Sequence, residues 1–153
     1  MSIKENVAEI RRRIAEIRPE GVILVAATKM NDAHRVREAI EAGVDACGEN
    51  KVQEIMDKFD AVKPVKWHMI GQLQTNKVKY IIDKVSMIHS VDSLRLAQEI
   101  NKRAQQHNLT MDILIQVNSA EEESKFGIKT EETGQMIQDI LDTCENIRIR
   151  GLM

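Results

Sequence analysis

The chain has 153 residues, of which 42% are apolar and 30% are charged, which is enough material for one domain with a sizeable core. Its 22 Lys and Arg residues against 24 Asp and Glu residues give a net charge of −2, so no overall basic field favours nucleic acid or anionic lipid as a partner. No apolar run approaches the roughly 20 residues that span a bilayer, and the N-terminus lacks the apolar segment of a secretory signal. We therefore expect neither a membrane nor a nucleic-acid partner.

The two cysteines, Cys47 and Cys144, lie far apart in the sequence and form no C-x-x-C pair. Reduced thiols are the simplest state for such residues. This pattern predicts a cytoplasmic location and gives no indication of a metal site.

The first predicted elements are a helix, a strand and a second helix. Apolar residues recur at three- and four-residue steps over 3–17, which indicates an amphipathic helix. The continuous apolar run 22–28 is rich in β-branched residues and predicts a strand buried on both faces, as parallel sheets require. Asn31 or Asp32 can cap the second helix, which ends at Gly43.

The alternation of strand and helix continues to the end of the chain. Further strands are predicted at 44–48, 67–71, 87–91, 111–117 and 147–153, and further helices at 51–59, 75–83, 93–107 and 130–144. Six alternations without an antiparallel hairpin signal predict an α/β fold with a parallel sheet. A doubly wound sheet and a TIM-type (β/α) barrel both fit, because periodicity does not separate them.

Polar side chains follow the predicted strands at their carboxyl ends, where ligands bind in either architecture. Lys29 closes the first strand, and an ammonium after a buried run would be partly desolvated, which lowers the pKa of an amine and suits a Schiff-base lysine. The alternative is that Lys29 simply reaches solvent. Asn50 either caps the helix that follows it or hydrogen-bonds a ring oxygen of a ligand.

Other polar positions allow more than one interpretation. His68 and His89 either contact a ligand or are packed side chains. The acidic segment 121–123 is typical of a solvated loop, because it lacks the alternating ligand spacing of a calcium loop. Neither G-x-G-x-x-G nor G-x-x-x-x-G-K-[ST] occurs, so no motif supports nucleotide binding.

Several segments, in their order along the chain, together resemble one family. They are Val25–Lys29, Gly48–Asn50, Val52–Glu54, Trp67–Lys77, Ile88–Asp92, Val117–Asn118, Glu123–Gly127 and Arg150–Met153. They resemble the pyridoxal phosphate homeostasis proteins, the YggS-like group related to the barrel domain of alanine racemase. The most specific part is Trp67–Lys77, a stretch of eleven positions in one register.

The resemblance implies a TIM-type barrel that binds pyridoxal 5'-phosphate (PLP). It implies that Lys29 forms the Schiff base and that Asn50, His89 and Lys125 also belong to the cofactor site. Members of the family are regarded as carriers or regulators of vitamin B6 supply, without established catalytic turnover. Two positions depart from the family pattern, since Asn31 stands where a second lysine is frequent and Gln72 where a histidine is usual.

The resemblance also implies continuation past Met153 into two more strand-helix units that supply phosphate-binding amides. We therefore expect residues 1–153 to form a single PLP-binding barrel domain with about six of the eight strands, weak cofactor affinity, and open edges available for self-association. Two alternatives stay open. One is a PLP-dependent, racemase-like amino-acid enzyme, although the only tyrosine, Tyr80, lies within a predicted helix. The other is a truncated remnant that does not bind the cofactor.

Overall fold

The computed structural model describes residues 1–153 and contains six strands that alternate with helices. The helices are α1 (Ile3–Ile17), α2 (Ala33–Glu41), α3 (Val52–Phe59), α4 (Val78–Ile81), α5 (Leu94–Gln106) and α6 (Thr130–Thr143). The strands are β1 (Val25–Ala27), β2 (Ala46–Glu49), β3 (Lys66–Met69), β4 (Val85–Val91), β5 (Met111–Ile115) and β6 (Ile147–Leu152). None of the helices is long and apolar enough to cross a membrane.

The strand order decides between the two architectures that the sequence left open. All six strands are parallel, and each pairs with the next one in the sequence, from β1 to β6. A doubly wound sheet reverses its strand order at a switch point, and this sheet has no reversal. The fold is therefore the predicted α/β arrangement of a TIM-type (β/α) barrel, here with six strands. The outer strands are β1 and β6, and self-association through their edges stays a prediction.

The hydrophobic core lies between the helices and one face of the sheet. Twenty-four buried residues form it, including the fully buried side chains of Trp67, Met69 and Ile113. Because side chains alternate along a strand, the intervening residues lie on the opposite, inner face. One register row across this inner face consists of Gly48, His68, Met87, Asp112 and Arg148.

The start of the sheet differs from the prediction. Strand β1 covers only Val25–Ala27, and the side chains of Val22 and Ile23 before it are exposed. The prediction that the run 22–28 is buried on both faces is therefore wrong. The reason is that β1 is an outer strand with a single hydrogen-bonded neighbour, and a hydrophobic run does not reveal whether its strand lies at an edge.

Helix ends follow the sequence signals closely in most places. Asp32 is the N-cap of α2 and accepts a hydrogen bond from the Arg35 amide at 2.9 Å, while Gly43 follows the helix with a φ of +106°. The helix predicted at 75–83 is shorter, because a 3-10 turn over Thr75–Lys77 precedes α4.

Gly71 is required where the chain leaves β3 and passes over the end of β2. A Cβ placed on Gly71 would lie 2.6 Å from the Asn50 Cα, and the obstructing atoms belong to the backbone. Backbone atoms cannot rotate away as a flexible side chain can. Only glycine therefore allows the carboxyl ends of β2 and β3 to approach this closely.

We expect Gly71→Ala to lower the free energy of unfolding by about 1–3 kcal/mol, because the added methyl group overpacks the contact with Asn50. Gly134→Ala is the matched control, since Gly134 lies in α6 with nothing within 4 Å of the added Cβ. In a helix interior this second change should be stabilising by about 0.5–1 kcal/mol. Urea denaturation of both variants measures the difference, and an equal effect on stability would contradict the assigned role of Gly71.

Candidate functional site

Lys29 lies in the loop immediately after β1, at the carboxyl edge of the sheet, and its side chain is exposed. Its position at the strand end agrees with the prediction. The expected desolvation of its ammonium is wrong, because β1 is an outer strand and the loop after it is open to solvent. The structure thus agrees with the alternative in which Lys29 reaches solvent, and its amine is accessible to a ligand.

The residues on both sides of Lys29 are held by a charged network at the buried end of β2. Nζ of Lys58 donates to the Thr28 carbonyl at 3.1 Å and to Oε1 of Glu49 at 2.7 Å. The same ammonium donates to Oε2 of Glu54 at 2.9 Å, and that carboxylate oxygen accepts the Met30 amide at 3.0 Å. We call Glu49, Glu54 and Lys58 the carboxyl-edge network.

Burial in this network is unusually deep for charged groups. The side chain of Glu49 is fully buried and that of Lys58 is 10% exposed. Oε1 of Glu49 also accepts the Thr28 hydroxyl at 2.7 Å, whereas its Oε2 has no hydrogen-bond partner. Each charge compensates the other in this environment, because an isolated buried charge is strongly unfavourable.

The pKa values reflect the balance between burial and pairing. Burial raises the pKa of Glu49, against the hydrogen bonds from Lys58 and Thr28 that lower it. Burial lowers the pKa of Lys58, but the hydrogen bonds to Glu49 and Glu54 outweigh it and leave this pKa raised. The hydrogen bond from Lys58 lowers the pKa of Glu54. The ammonium is therefore the stable form of Lys58 at neutral pH.

Sequence reasoning missed the carboxyl-edge network. The spacing of Glu54 and Lys58, four residues apart in a predicted helix, is a signal for a pair on one helix face. Nothing local indicates that Glu49, a carboxylate at a strand end, is buried beneath that helix.

Asn50 follows β2 directly and is half-buried. The N-cap of α3 is Lys51, and it makes no side-chain capping bond. The alternative in which Asn50 is only the cap of this helix is therefore wrong. Because Gly71 packs against the backbone of Asn50, the residue is fixed at the carboxyl edge while its amide is not used for capping.

His68 and His89 form a pair on neighbouring strands β3 and β4. Nδ1 of His68 and Nε2 of His89 are 2.9 Å apart, and the two rings meet edge to face. Burial lowers the pKa of His68 to about 4, with smaller contributions from the charges of His89 and Lys66. Burial also lowers the pKa of His89. At neutral pH the pair is uncharged, and one ring donates the hydrogen that the other accepts.

Lys125 lies in the loop between β5 and α6 and is 68% exposed at its side chain. Its Nζ is 3.3 Å from Oε2 of Glu122. None of the hydrogen bonds or ion pairs joins it to Lys29, Asn50 or His89. Lys125 thus shares the carboxyl edge of the sheet with these residues but makes no hydrogen bond or ion pair with them.

The acidic loop 121–123 borders a concavity at the surface. A concavity of about 300 Å³ beside it is lined by Asn118, Glu121, Glu122, Glu123, Lys129 and Glu131. The structure contains no group of three or more His, Cys, Asp or Glu side chains arranged to hold a metal ion. Residues 121–123 are all exposed, which agrees with the predicted solvated loop.

The residues at the carboxyl edge fit the functional groups of PLP. An accessible primary amine at Lys29 suits an aldehyde. The half-buried amide of Asn50 and the neutral histidine pair offer hydrogen-bond donors and acceptors to a polar ring. This set defines a class of protein, namely a parallel (β/α) barrel domain with an exposed lysine in the loop after its first strand.

Comparison with protein families and known proteins gives the family. The family model described as alanine racemase, N-terminal domain, matches residues 1–153. The pyridoxal phosphate homeostasis protein of Aquifex aeolicus is 42% identical over 132 residues, which are 85% of this chain and 58% of that protein. The Escherichia coli K12 protein of the same name is 33% identical over 99% of this chain and 69% of its own length. The chain therefore belongs to the alanine racemase N-terminal domain family, and within it to the pyridoxal phosphate homeostasis proteins.

Solved structures agree with this assignment. A protein from Bifidobacterium adolescentis superposes with a TM-score of 0.85 at 34% identity, covering 99% of this chain and 68% of the other. PipY of Synechococcus elongatus PCC7942, solved with PLP bound, has a TM-score of 0.74 at 30% identity, covering 94% and 69%. Alanine racemase of Clostridium difficile 630 shares the fold, with a TM-score of 0.75 at 19% identity. The chain spans less than two thirds of the length of the Aquifex relative.

The histidine pair predicts a pH dependence of stability. The pKa of His68 in the folded protein, about 4, lies below the ordinary value of 6.5, so the unfolded chain binds more protons between these two pH values. The free energy of unfolding should therefore fall as the pH decreases from 6.5 to 4. In His68→Gln this fall should be smaller, as measured by urea denaturation across the same range. His107→Gln removes an exposed imidazole and is the control, and an equal reduction in both variants would refute the assignment to His68.

Proposed function

We propose that this chain binds PLP through a Schiff base at Lys29 and that it serves vitamin B6 homeostasis. The observation that carries the proposal is the accessible Lys29 amine directly after β1, at the edge of a fold shared with the PLP-bound PipY structure. The names of its curated relatives as pyridoxal phosphate homeostasis proteins support the same function.

The chemistry at Lys29 requires a neutral amine and access for the aldehyde. PLP supplies an aldehyde carbon that forms an imine with Nζ, and the carbonyl oxygen leaves as water. Exposure of Lys29 provides the access. Fixed peptide groups on both sides of it limit the directions in which the amine can extend.

Three further side chains complete the proposed site. Asn50 and His89 lie on the strands or loops of the same edge and offer polar contacts to the ring of the cofactor. In the free protein the hydrogen bond between His68 and His89 keeps both imidazoles oriented. Lys125 lies on a separate loop, where its cation is suited to an anionic group of the cofactor.

No feature of the site favours the alternative of an amino-acid racemase. Tyr80, the only tyrosine, lies in α4, with Nζ of Lys79 5.1 Å from the centre of its ring. A phenol in a helix on the outer layer of the fold is not at the carboxyl edge. We therefore propose a carrier or regulator of PLP as the function of this chain.

Two coarser predictions accompany this proposal. We propose that residues 1–153 fold as a single domain, supported by the one continuous core. We also propose a cytoplasmic location, supported by the free thiols of Cys47 and Cys144, both buried and unpaired. Fractionation of cells with an antibody against the chain tests the location.

Reduction with borohydride after incubation with PLP tests the Schiff base, because it converts the imine into a stable amine. Intact-mass analysis of the chain should then detect one added pyridoxyl group, and peptide mapping should assign it to Lys29. Lys29→Ala should lose this label completely.

Lys51→Ala is the matched control for this experiment. Lys51 is an exposed lysine on the same edge of the sheet, and its replacement by alanine removes the same charge as Lys29→Ala. It should leave the label on Lys29 unchanged. Equal labelling of the Lys29→Ala variant and the unmodified chain would rule out the lysine assignment, and no label on either would rule out PLP binding by this chain.

A further inference from the structure

The peptide that carries Lys29 is attached at both ends to one charged unit. On its N-terminal side the Thr28 carbonyl accepts a hydrogen bond from Lys58 at 3.1 Å. On its C-terminal side the Met30 amide donates to Glu54 at 3.0 Å. Lys58 and Glu54 are themselves joined at 2.9 Å, so one ion pair anchors the peptide groups on both sides of Lys29 to helix α3.

The backbone conformation at Met30 is one that has to be stabilised by surrounding contacts. Its φ of +62° lies in the left-handed region, which is unfavourable for a residue with a side chain. Conformations of this kind persist where surrounding contacts hold them. The Met30 side chain is 92% exposed and contributes little packing. The hydrogen bond from its amide to Glu54 holds this turn from outside. Within the turn, the Asn31 amide donates to the Thr28 carbonyl at 3.2 Å and the Asn31 side chain donates to the Lys29 carbonyl at 3.0 Å.

Stability alone does not explain why the carboxyl-edge network is charged. A buried ion pair can be replaced by well-packed apolar residues with little loss of stability, and some such replacements are stabilising. In addition, Oε2 of Glu49 has no partner, which is a further cost. What an apolar replacement would lose is the set of directed hydrogen bonds to Thr28 and Met30.

We infer that Lys58, held by Glu49 and Glu54, is the positioning residue for Lys29. It fixes the loop over 28–30 so that the Lys29 amine is presented at the carboxyl edge of the sheet. This inference rests on the proposed function, because a positioned amine implies a ligand that reacts with it. The three side chains act through the backbone and need not touch the cofactor.

A double variant separates positioning from folding. Glu49→Leu combined with Lys58→Met removes the buried charges together and fills their space with apolar groups, so the free energy of unfolding should stay close to that of the unmodified chain. The rate at which borohydride traps PLP on Lys29 should fall about tenfold, the factor expected for the loss of a hydrogen bond to a charged group. Lys58→Arg keeps a cationic donor and should retain most of the rate.

Lys63→Met is the control for these variants. Lys63 makes an exposed ion pair with Asp60 at 3.1 Å, close to the end of α3 but without contact to the Lys29 loop. It should leave the trapping rate unchanged. An unchanged rate in the double variant, at unchanged stability, would overturn the inference.

Amide hydrogen exchange gives a second measurement that needs no ligand. In Glu54→Ala the Met30 amide loses its acceptor, and its exchange should become about tenfold faster. Exchange in the core strand β5 should not change, which shows that the variant is folded. This variant also keeps the inference testable if the double variant does not fold.

The two measurements distinguish failure of the inference from failure of the proposed function. If the unmodified chain takes up no PLP but the Met30 amide exchanges faster in Glu54→Ala, PLP binding is refuted and the role of the network in fixing the loop is supported. If PLP labels Lys29 but neither the trapping rate nor the exchange changes in the variants, PLP binding stands and the positioning role of Lys58 is refuted.

Discussion

The ion pair between Glu49 and Lys58 joins three parts of the molecule, namely the end of β2, helix α3 and the loop after β1. Its side chains are almost completely removed from solvent. Removal of Lys58 alone would leave the buried carboxylate of Glu49 without a compensating charge, at a cost of about 3–5 kcal/mol. That cost is a large fraction of the 5–15 kcal/mol by which domains of this kind are typically stable. The geometry around Lys29 is therefore tied to the stability of the fold itself.

The two faces of the sheet differ in composition. The side that faces the helices carries the apolar core, while the opposite side forms the inner face. Gly48 and His68 are neighbours in the inner row. The polar residues that follow the strands all lie at one edge of the sheet. Because all strands are parallel, their carboxyl ends meet there, and residues remote in sequence become neighbours. The site is a consequence of strand direction.

Much of the fold could be predicted from local signals. Apolar periodicity gave the elements in their observed order, and Asp32 and Gly43 marked the ends of α2 as expected. Periodicity did not reveal which strands are neighbours, since it records the burial of each strand separately. For this reason it neither chose between barrel and doubly wound sheet nor identified β1 as an outer strand. The exposure of Lys29 was not predicted for the same reason, because it depends on β1 being an outer strand.

The contacts that the sequence did not predict are those between elements. Lys58 is a lysine in an amphipathic helix, and only the packing of α3 against β2 places it beside a buried carboxylate. For Asn50, local propensity predicts a helix cap, because asparagine is strongly preferred at that position. In the structure Lys51 occupies the cap position instead. In both cases local propensity gave a reasonable expectation that tertiary structure overrode.

The sequential strand order also affects how the chain reaches this structure. Each strand pairs with its neighbour in the sequence, so each pairing closes over a single crossover connection and none joins strands from distant parts of the chain. The hydrogen bonds that hold the Lys29 loop come from residues 28–58, within the first two strand-helix units. During synthesis these residues leave the ribosome well before β4, β5 and β6. Lys29 can therefore acquire its surroundings early, while the remaining strands are still being synthesised.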